Sequence, residues 1–271
     1  VPEDMTVVGF DDLDLATYLI ERGALVVPTV STTRPFNPEH ILCKAIEHAN
    51  MPAVRLLISH GAPVNTALPQ FADDMSAPIL SAIRSHNAEA LTYLLDNGAY
   101  PILTNQEIDV QPLVLASTVG TLDALATLLQ RHEWEPTWLG IAAKQAVSHN
   151  NGNAALYIMT NYPQSLSRDY PALLYIAMTN GNSELATRIA NHAKTIRPDI
   201  MDFGLTIAAG LGHTQMLTFF IQNGARVAQP ADPMQFGSRS AMMAAIENGH
   251  ETVFRQLWAA GARPDHHDAL G

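Results

Sequence analysis

The chain has 271 residues, 47% of them hydrophobic, and a mean hydropathy of +0.04, so it can bury a core and intrinsic disorder is excluded. The net charge is −11, and residues 1–143 carry all of the excess (6 basic, 17 acidic), whereas residues 144–271 hold 9 of each. No Lys/Arg cluster offsets that acidic half, which argues against nucleic acid and against docking on an anionic membrane.

No apolar stretch reaches the ~18 residues needed to span a bilayer, and Val1-Pro2-Glu3-Asp4 does not open a signal peptide. With a single cysteine, Cys43, and no Asn-x-Ser/Thr sequon, the expected setting is intracellular and cytoplasmic. A first residue other than Met and an end soon after a Gly-Ala pair fit excision from a larger chain. The expected state is therefore a monomer or one part of a multidomain protein.

In chain order, Leu15–Ile20 is the first amphipathic segment, and it ends at Gly23-Ala24. Val54–Ile58 ends at Gly61-Ala62, Leu91–Leu95 at Gly98-Ala99, Met216–Ile221 at Gly224-Ala225 and Val253–Trp258 at Gly261-Ala262. Apolar residues at i, i+3 and i+4 bury one helix face, and the glycine supplies a left-handed C-cap. About a dozen residues before each such segment stands a small residue followed four positions later by a turn residue. These pairs are Ala45 and Ala49, Ala82 and His86, Ala116 and Gly120, Ala177 and Gly181, Ala208 and Gly212, Ala245 and Gly249, with Ser148 and Gly152 fitting less well. The turn positions advance by 37, 34, 32, 29, 31 and 37 residues, which is a helix–turn–helix unit repeated at about 33 residues.

On these residues the chain resembles the ankyrin-repeat family. Ala77-Pro78-Ile79-Leu80-Ser81-Ala82 and Gln111-Pro112-Leu113-Val114-Leu115-Ala116 are eroded forms of the family's Thr-Pro-Leu-His-x-Ala opening, and Gly212-His213 and Gly249-His250 keep its inter-helix pair. Gly120-Thr121 and Gly181-Asn182 are equivalents in which Thr or Asn caps the second helix. The resemblance implies an all-α solenoid of about seven repeats plus a partial N-terminal one. The approximate units are 10–36, 37–73, 74–107, 108–136, 137–168, 169–198, 199–234 and 235–271. Segments near residues 132, 163 and 193 lack the Gly-Ala end, so short or distorted connections are expected there. Loops around 25–38, 63–76 and 226–238 are expected to be long.

The resemblance also implies a non-catalytic scaffold that holds a partner protein or peptide, and the acidic half favours a basic one. The two residues before each inter-helix turn are expected to line the binding groove: Glu47 and His48, Arg84 and Ser85, Thr118 and Val119, Thr179 and Asn180, Gly210 and Leu211, Glu247 and Asn248. Residues preceding the first helices add Phe71, Asp73, Asp74, Glu107, Asp109, Met234, Gln235 and Phe236. Aromatic and Arg side chains anchor interfaces most often, which selects Phe71, Arg84, Trp134, Trp138 and Phe236 as anchors.

Catalytic and cofactor motifs are missing: there is no Gly-x-Ser-x-Gly, His-Glu-x-x-His, Gly-Lys-Ser/Thr phosphate loop or Cys-x-x-Cys. Asp265-His266-His267-Asp268 has metal-ligand residue types, but neighbouring residues point apart, so no metal or cofactor is expected. A second reading is an unusual enzyme or small-molecule binder with a pocket in the irregular centre. There His132, Glu133, Trp134, Glu135, Trp138, His149, Tyr157, Tyr162 and Asp169 lie close in sequence.

Overall fold

The computed structural model describes residues 38–65, 77–103, 108–228 and 240–263. Every α-helix in it belongs to a helix–turn–helix pair, and the described residues contain no strand. The chain divides into two compact units, Val1–Trp134 and Glu135–Gly271. In the first, the pairs are α1 (Pro38–Glu47) with α2 (Met51–Ser59), α3 (Pro78–Arg84) with α4 (Ala88–Asp96), and α5 (Pro112–Thr118) with α6 (Leu122–Arg131). In the second they are α7 (Pro136–Ser148) with α8 (Gly152–Asn161), α9 (Tyr170–Thr179) with α10 (Ser183–Ala193), α11 (Ile200–Leu211) with α12 (Thr214–Gln222), and α13 (Ala241–Glu247) with α14 (Glu251–Ala259). Within each unit, first helices pack on first helices and second on second, as a helical solenoid requires.

Local chemistry sets the helix boundaries. Proline stands in the first turn of α3, α5, α7 and α9, where its missing N–H removes no hydrogen bond. Five of the second helices are capped by side chains: Asn50, Asn87, Thr121, Asn151 and Asn182 each accept from the backbone N–H three residues on.

Four second helices end in the same double hydrogen bond, and it explains the Gly-Ala pairs. At α2, Gly61 N–H donates to Ile58 O (3.0 Å) and Ala62 N–H to Leu57 O (3.0 Å), with Gly61 at φ +89°. The same bonds recur at Gly98-Ala99, Gly224-Ala225 and Gly261-Ala262. The glycine makes the left-handed step and the alanine turns back into the core: Ala62, Ala99, Ala225 and Ala262 are all buried.

The inter-helix turns repeat this device with the following residue serving as N-cap. Ala49, His86, Gly181, Gly212 and Gly249 are left-handed, at the positions the sequence spacing predicts. The central repeat differs from that reading. Its left-handed residue is Asn150 (φ +59°), not Gly152, and its C-cap bonds run from Asn150 N–H to Val147 O and from Asn151 N–H to Ala146 O. The small–turn pair is therefore Ala146 and Asn150. Asparagine tolerates the left-handed region almost as glycine does, which conceals the register from a search for Gly. Gly120 is the other exception. It has no left-handed φ, yet a Cβ there would lie 2.7 Å from both the Cα and the carbonyl oxygen of Ala116.

The connections lacking Gly-Ala are short, as expected: residues 132–135 link α6 to α7, and a run of turns over 162–169 links α8 to α9. Two first helices rely on glycine for close approach. A Cβ on Gly140 would sit 2.6 Å from Asp169 Oδ2, and one on Gly204 would sit 2.3 Å from Cε1 and Cζ of Phe220.

Candidate functional site

Two adjacent rows on the first helices have opposite fates. The residue three before each left-handed turn is fully buried in the first unit (Ile46, Ile83), and the next two positions leave the core. Glu47 and His48 are exposed, Arg84 and Ser85 half-buried, Thr118 half-buried and Val119 exposed. In the second unit Ser148, His149, Thr179, Asn180, Glu247 and Asn248 are exposed, and Gly210 and Leu211 half-buried. Core packing does not dictate these side chains.

One exposed aromatic on that surface escaped the sequence reading. Tyr175 is 51% exposed, one turn before Thr179 on α9, a helix with no charged residue. Its signal was present: counting back four from the predicted Thr179 stays on the same helix face.

Asn180 is partly used within the fold, since its Nδ2 donates to Val147 O (3.4 Å) and Ser148 O (3.3 Å) at the end of α7. Side chains also tie the connections between pairs. In the first unit Asn65 Nδ2 donates to Gly98 O (2.8 Å) while Tyr100 N–H donates to Asn65 Oδ1 (2.7 Å). Buried Gln111 clamps Leu103 through both its amide atoms, at 3.0 and 2.8 Å. In the second unit Asp202 accepts from the backbone (2.6 Å) and Nε (2.7 Å) of Arg226, whose pKa rises because of that hydrogen bond and charge.

Residues 1–134 hold 6 basic and 16 acidic side chains (6 − 16 = −10), and residues 135–271 hold 9 and 10 (9 − 10 = −1). Within the first unit Lys44 pairs with Glu47, Arg55 with Glu89 and Arg131 with Asp96, and Arg55 also lies 4.7 Å above the Tyr93 ring. Such exposed pairs each contribute about 0–1 kcal/mol, and they take up three of the six cations and three of the sixteen acidic groups, so the excess stays negative.

The predicted anchors are distributed unevenly. Phe71, Asp73, Asp74, Glu107, Met234, Gln235 and Phe236 lie outside the described residues, and Asp109 falls in a 3-10 turn, Ile108–Val110, with its side chain outside the description. Trp134 is half-buried and turned onto its own repeat: Nε1–H donates to Leu128 O (3.0 Å), and the ring meets His132 edge-on at 4.9 Å. Trp138 is half-buried in the first turn of α7.

Two titratable groups of the irregular centre are taken up by separate local contacts. His149 Nδ1–H donates to Gln145 O (2.9 Å) in its own helix, and Asp169 pairs with Lys144 (3.0 Å). Burial raises the Tyr162 pKa, and the charge of Tyr157 adds to it. Further along α9 and α10, buried Tyr170 hydrogen-bonds with His192 Nδ1 (3.1 Å); burial pushes the tyrosine up to about 12 and lowers the histidine. Among the described residues no group of three or more His, Cys, Asp or Glu side chains is arranged to hold a metal ion, and no helix is long and apolar enough to cross a membrane.

No family model matches the sequence, and no curated protein matches it. Among solved structures, the crystal structure of the human ASB11 ankyrin repeat domain is similar, with a TM-score of 0.59 and 18% identity. The match covers 83% of this chain and 99% of that one. The chain has the ankyrin-repeat fold.

Proposed function

We propose that this protein is a non-catalytic recognition module that holds a partner protein or peptide against the exposed rows of its first helices. The observation that carries this reading is the sharp change from a buried row (Ile46, Val147, Met178) to an exposed one beside it (Glu47, Ser148, Thr179). A structural role alone does not require the accessible row to carry any particular residue. The −10 balance of residues 1–134 favours a basic partner and fast association. The module works in the cytoplasm, where a chain with one cysteine needs no oxidising compartment.

The test is affinity capture from cell lysate on immobilised wild-type chain, repeated with Tyr175→Ala and Thr179→Arg. Proteins held by the wild type should be lost from both variants while the melting temperature stays the same. Their association rate should fall at least ~10-fold across a tenfold rise in salt. Equal capture by the variants, or a metabolite that stabilises the chain in a thermal-shift screen while no protein is captured, would overturn the reading.

A further inference from the structure

Within the second unit, two neighbouring first helices share an uncharged strip. α11 packs directly on α9, and residues in equal register before the left-handed Gly181 and Gly212 stand side by side: Tyr175 with Thr206, and Thr179 with Gly210. Ala172, Tyr175 and Thr179 are exposed, while Thr206, Gly210 and Leu211 are half-buried. α9 has no charged residue, and the one in α11, Asp202, is bound to Arg226. In the register of Tyr175, Lys144 on α7 is paired with Asp169 (3.0 Å). On the other side the next charge in these rows is Glu247, on α13.

Two features of the strip serve no purpose in the fold. Tyr175 is 51% exposed, and its hydroxyl makes no hydrogen bond with the described residues. Gly210 is not left-handed, and a Cβ there would meet only Ala244 Cβ at 3.7 Å and Asn248 Nδ2 at 3.8 Å, which are ordinary contact distances. Unlike Gly204 in the same helix, it is not needed for clearance, although glycine is the poorest helix former after proline. Its missing side chain leaves a patch of bare, half-buried backbone beside Thr179.

A charged partner group laid on this strip would lose hydration without gaining a counter-charge, because Lys144 and Asp202 are already matched. An apolar group gains there: the aromatic ring is an anchor, the glycine a recess, and the free phenol O–H a donor for a backbone carbonyl. We infer that the strip on α9 and α11 holds an uncharged, apolar peptide segment, packed on Tyr175 and into the recess at Gly210. The inference rests on the recognition reading above and adds the partner's chemistry at the second unit. The charge of residues 1–134 governs how fast a partner arrives, and the strip governs how long this segment stays.

The test pans a phage-displayed library of random peptides on the immobilised full chain, after depletion on Tyr175→Ala so that only peptides using the strip are retained. Thr179→Arg serves for depletion if circular dichroism shows that Tyr175→Ala is unfolded. The retained peptides, titrated by fluorescence anisotropy, should be uncharged and apolar, with dissociation constants that change less than ~2-fold between ~0.15 and ~1 M salt. Gly210→Leu should raise those constants by about 10-fold or more without lowering the melting temperature, which a merely structural glycine would not do. Thr206→Glu replaces it if Gly210→Leu does not fold. Arg188→Ala, exposed on α10, should leave binding unchanged. Retained peptides that carry net charge and bind salt-dependently, peptides indifferent to filling the recess, or no retained peptide would each overturn the inference. The recognition reading falls with it only if capture from lysate fails as well.

Discussion

Replacing Gly204 by alanine should destabilise the second unit, although alanine is the better helix former. In an exposed helix interior the change would gain about 1 kcal/mol. Gly204 is instead buried in α11, and the added methyl would stand 2.3 Å from Cε1 and Cζ of Phe220 and 2.9 Å from Cδ1. Carbon atoms pack at ~3.5 Å or more, so the ring must retreat by roughly 1.2 Å (3.5 − 2.3). It has little freedom to do so, being fully buried on α12 and edge-on to Phe219 at 5.2 Å. Overpacking of this kind costs ~1–3 kcal/mol, and a fully buried ring with little room to retreat places this case near the upper end. After the propensity gain the net loss is about 2 kcal/mol, lowering the melting temperature by roughly 4–8 °C.

The assay is thermal and urea unfolding of wild type, Gly204→Ala, Phe220→Leu and the double variant. Leucine removes the ring atoms that clash, so the double variant should lose less than the sum of the singles. The coupling is expected to be about 1–3 kcal/mol. A Gly204→Ala protein as stable as wild type, or additive losses in the cycle, would refute the argument.

The remaining predictions concern the inter-helix turns and alkaline pH. Ala49 is exposed at φ +53°, where a Cβ costs an L-residue ~1–2 kcal/mol, so Ala49→Gly should stabilise by about 1 kcal/mol in urea unfolding. Tyr170 titrates near 10.0 when unfolded and is pushed up to about 12 when folded. Between those values the unfolded chain has lost the proton that the native chain retains, so stability should fall as pH rises through that window. Tyr170→Phe should flatten that alkaline loss. Near pH 6 the His192 pKa, lowered by burial, acts in the other direction: stability should fall as pH drops below the ordinary histidine value of 6.5.

The sequence alone determined what closes within five or six residues. A left-handed step at Gly61 or Gly212, the cap at Thr121 or Asn182 and the proline at the start of α3 each satisfy backbone groups a turn away, and they repeat in register because every unit solves the same local problem. Tertiary structure decided matters that depend on residues far apart in the chain. Whether a glycine is needed for its φ or for clearance is one of them: Gly204 faces Phe220 and Gly140 faces Asp169, and neither is a turn. Trp134 satisfies its N–H within its own repeat, an outcome set by where Leu128 O lies and not by the tryptophan itself. The exposure of Ile246 was equally hidden, because its one-dimensional pattern matches that of the buried Ile46 and Ile83. Burial belongs to the neighbour that covers a side chain, so identical residues at identical register become core or surface according to what stacks on them.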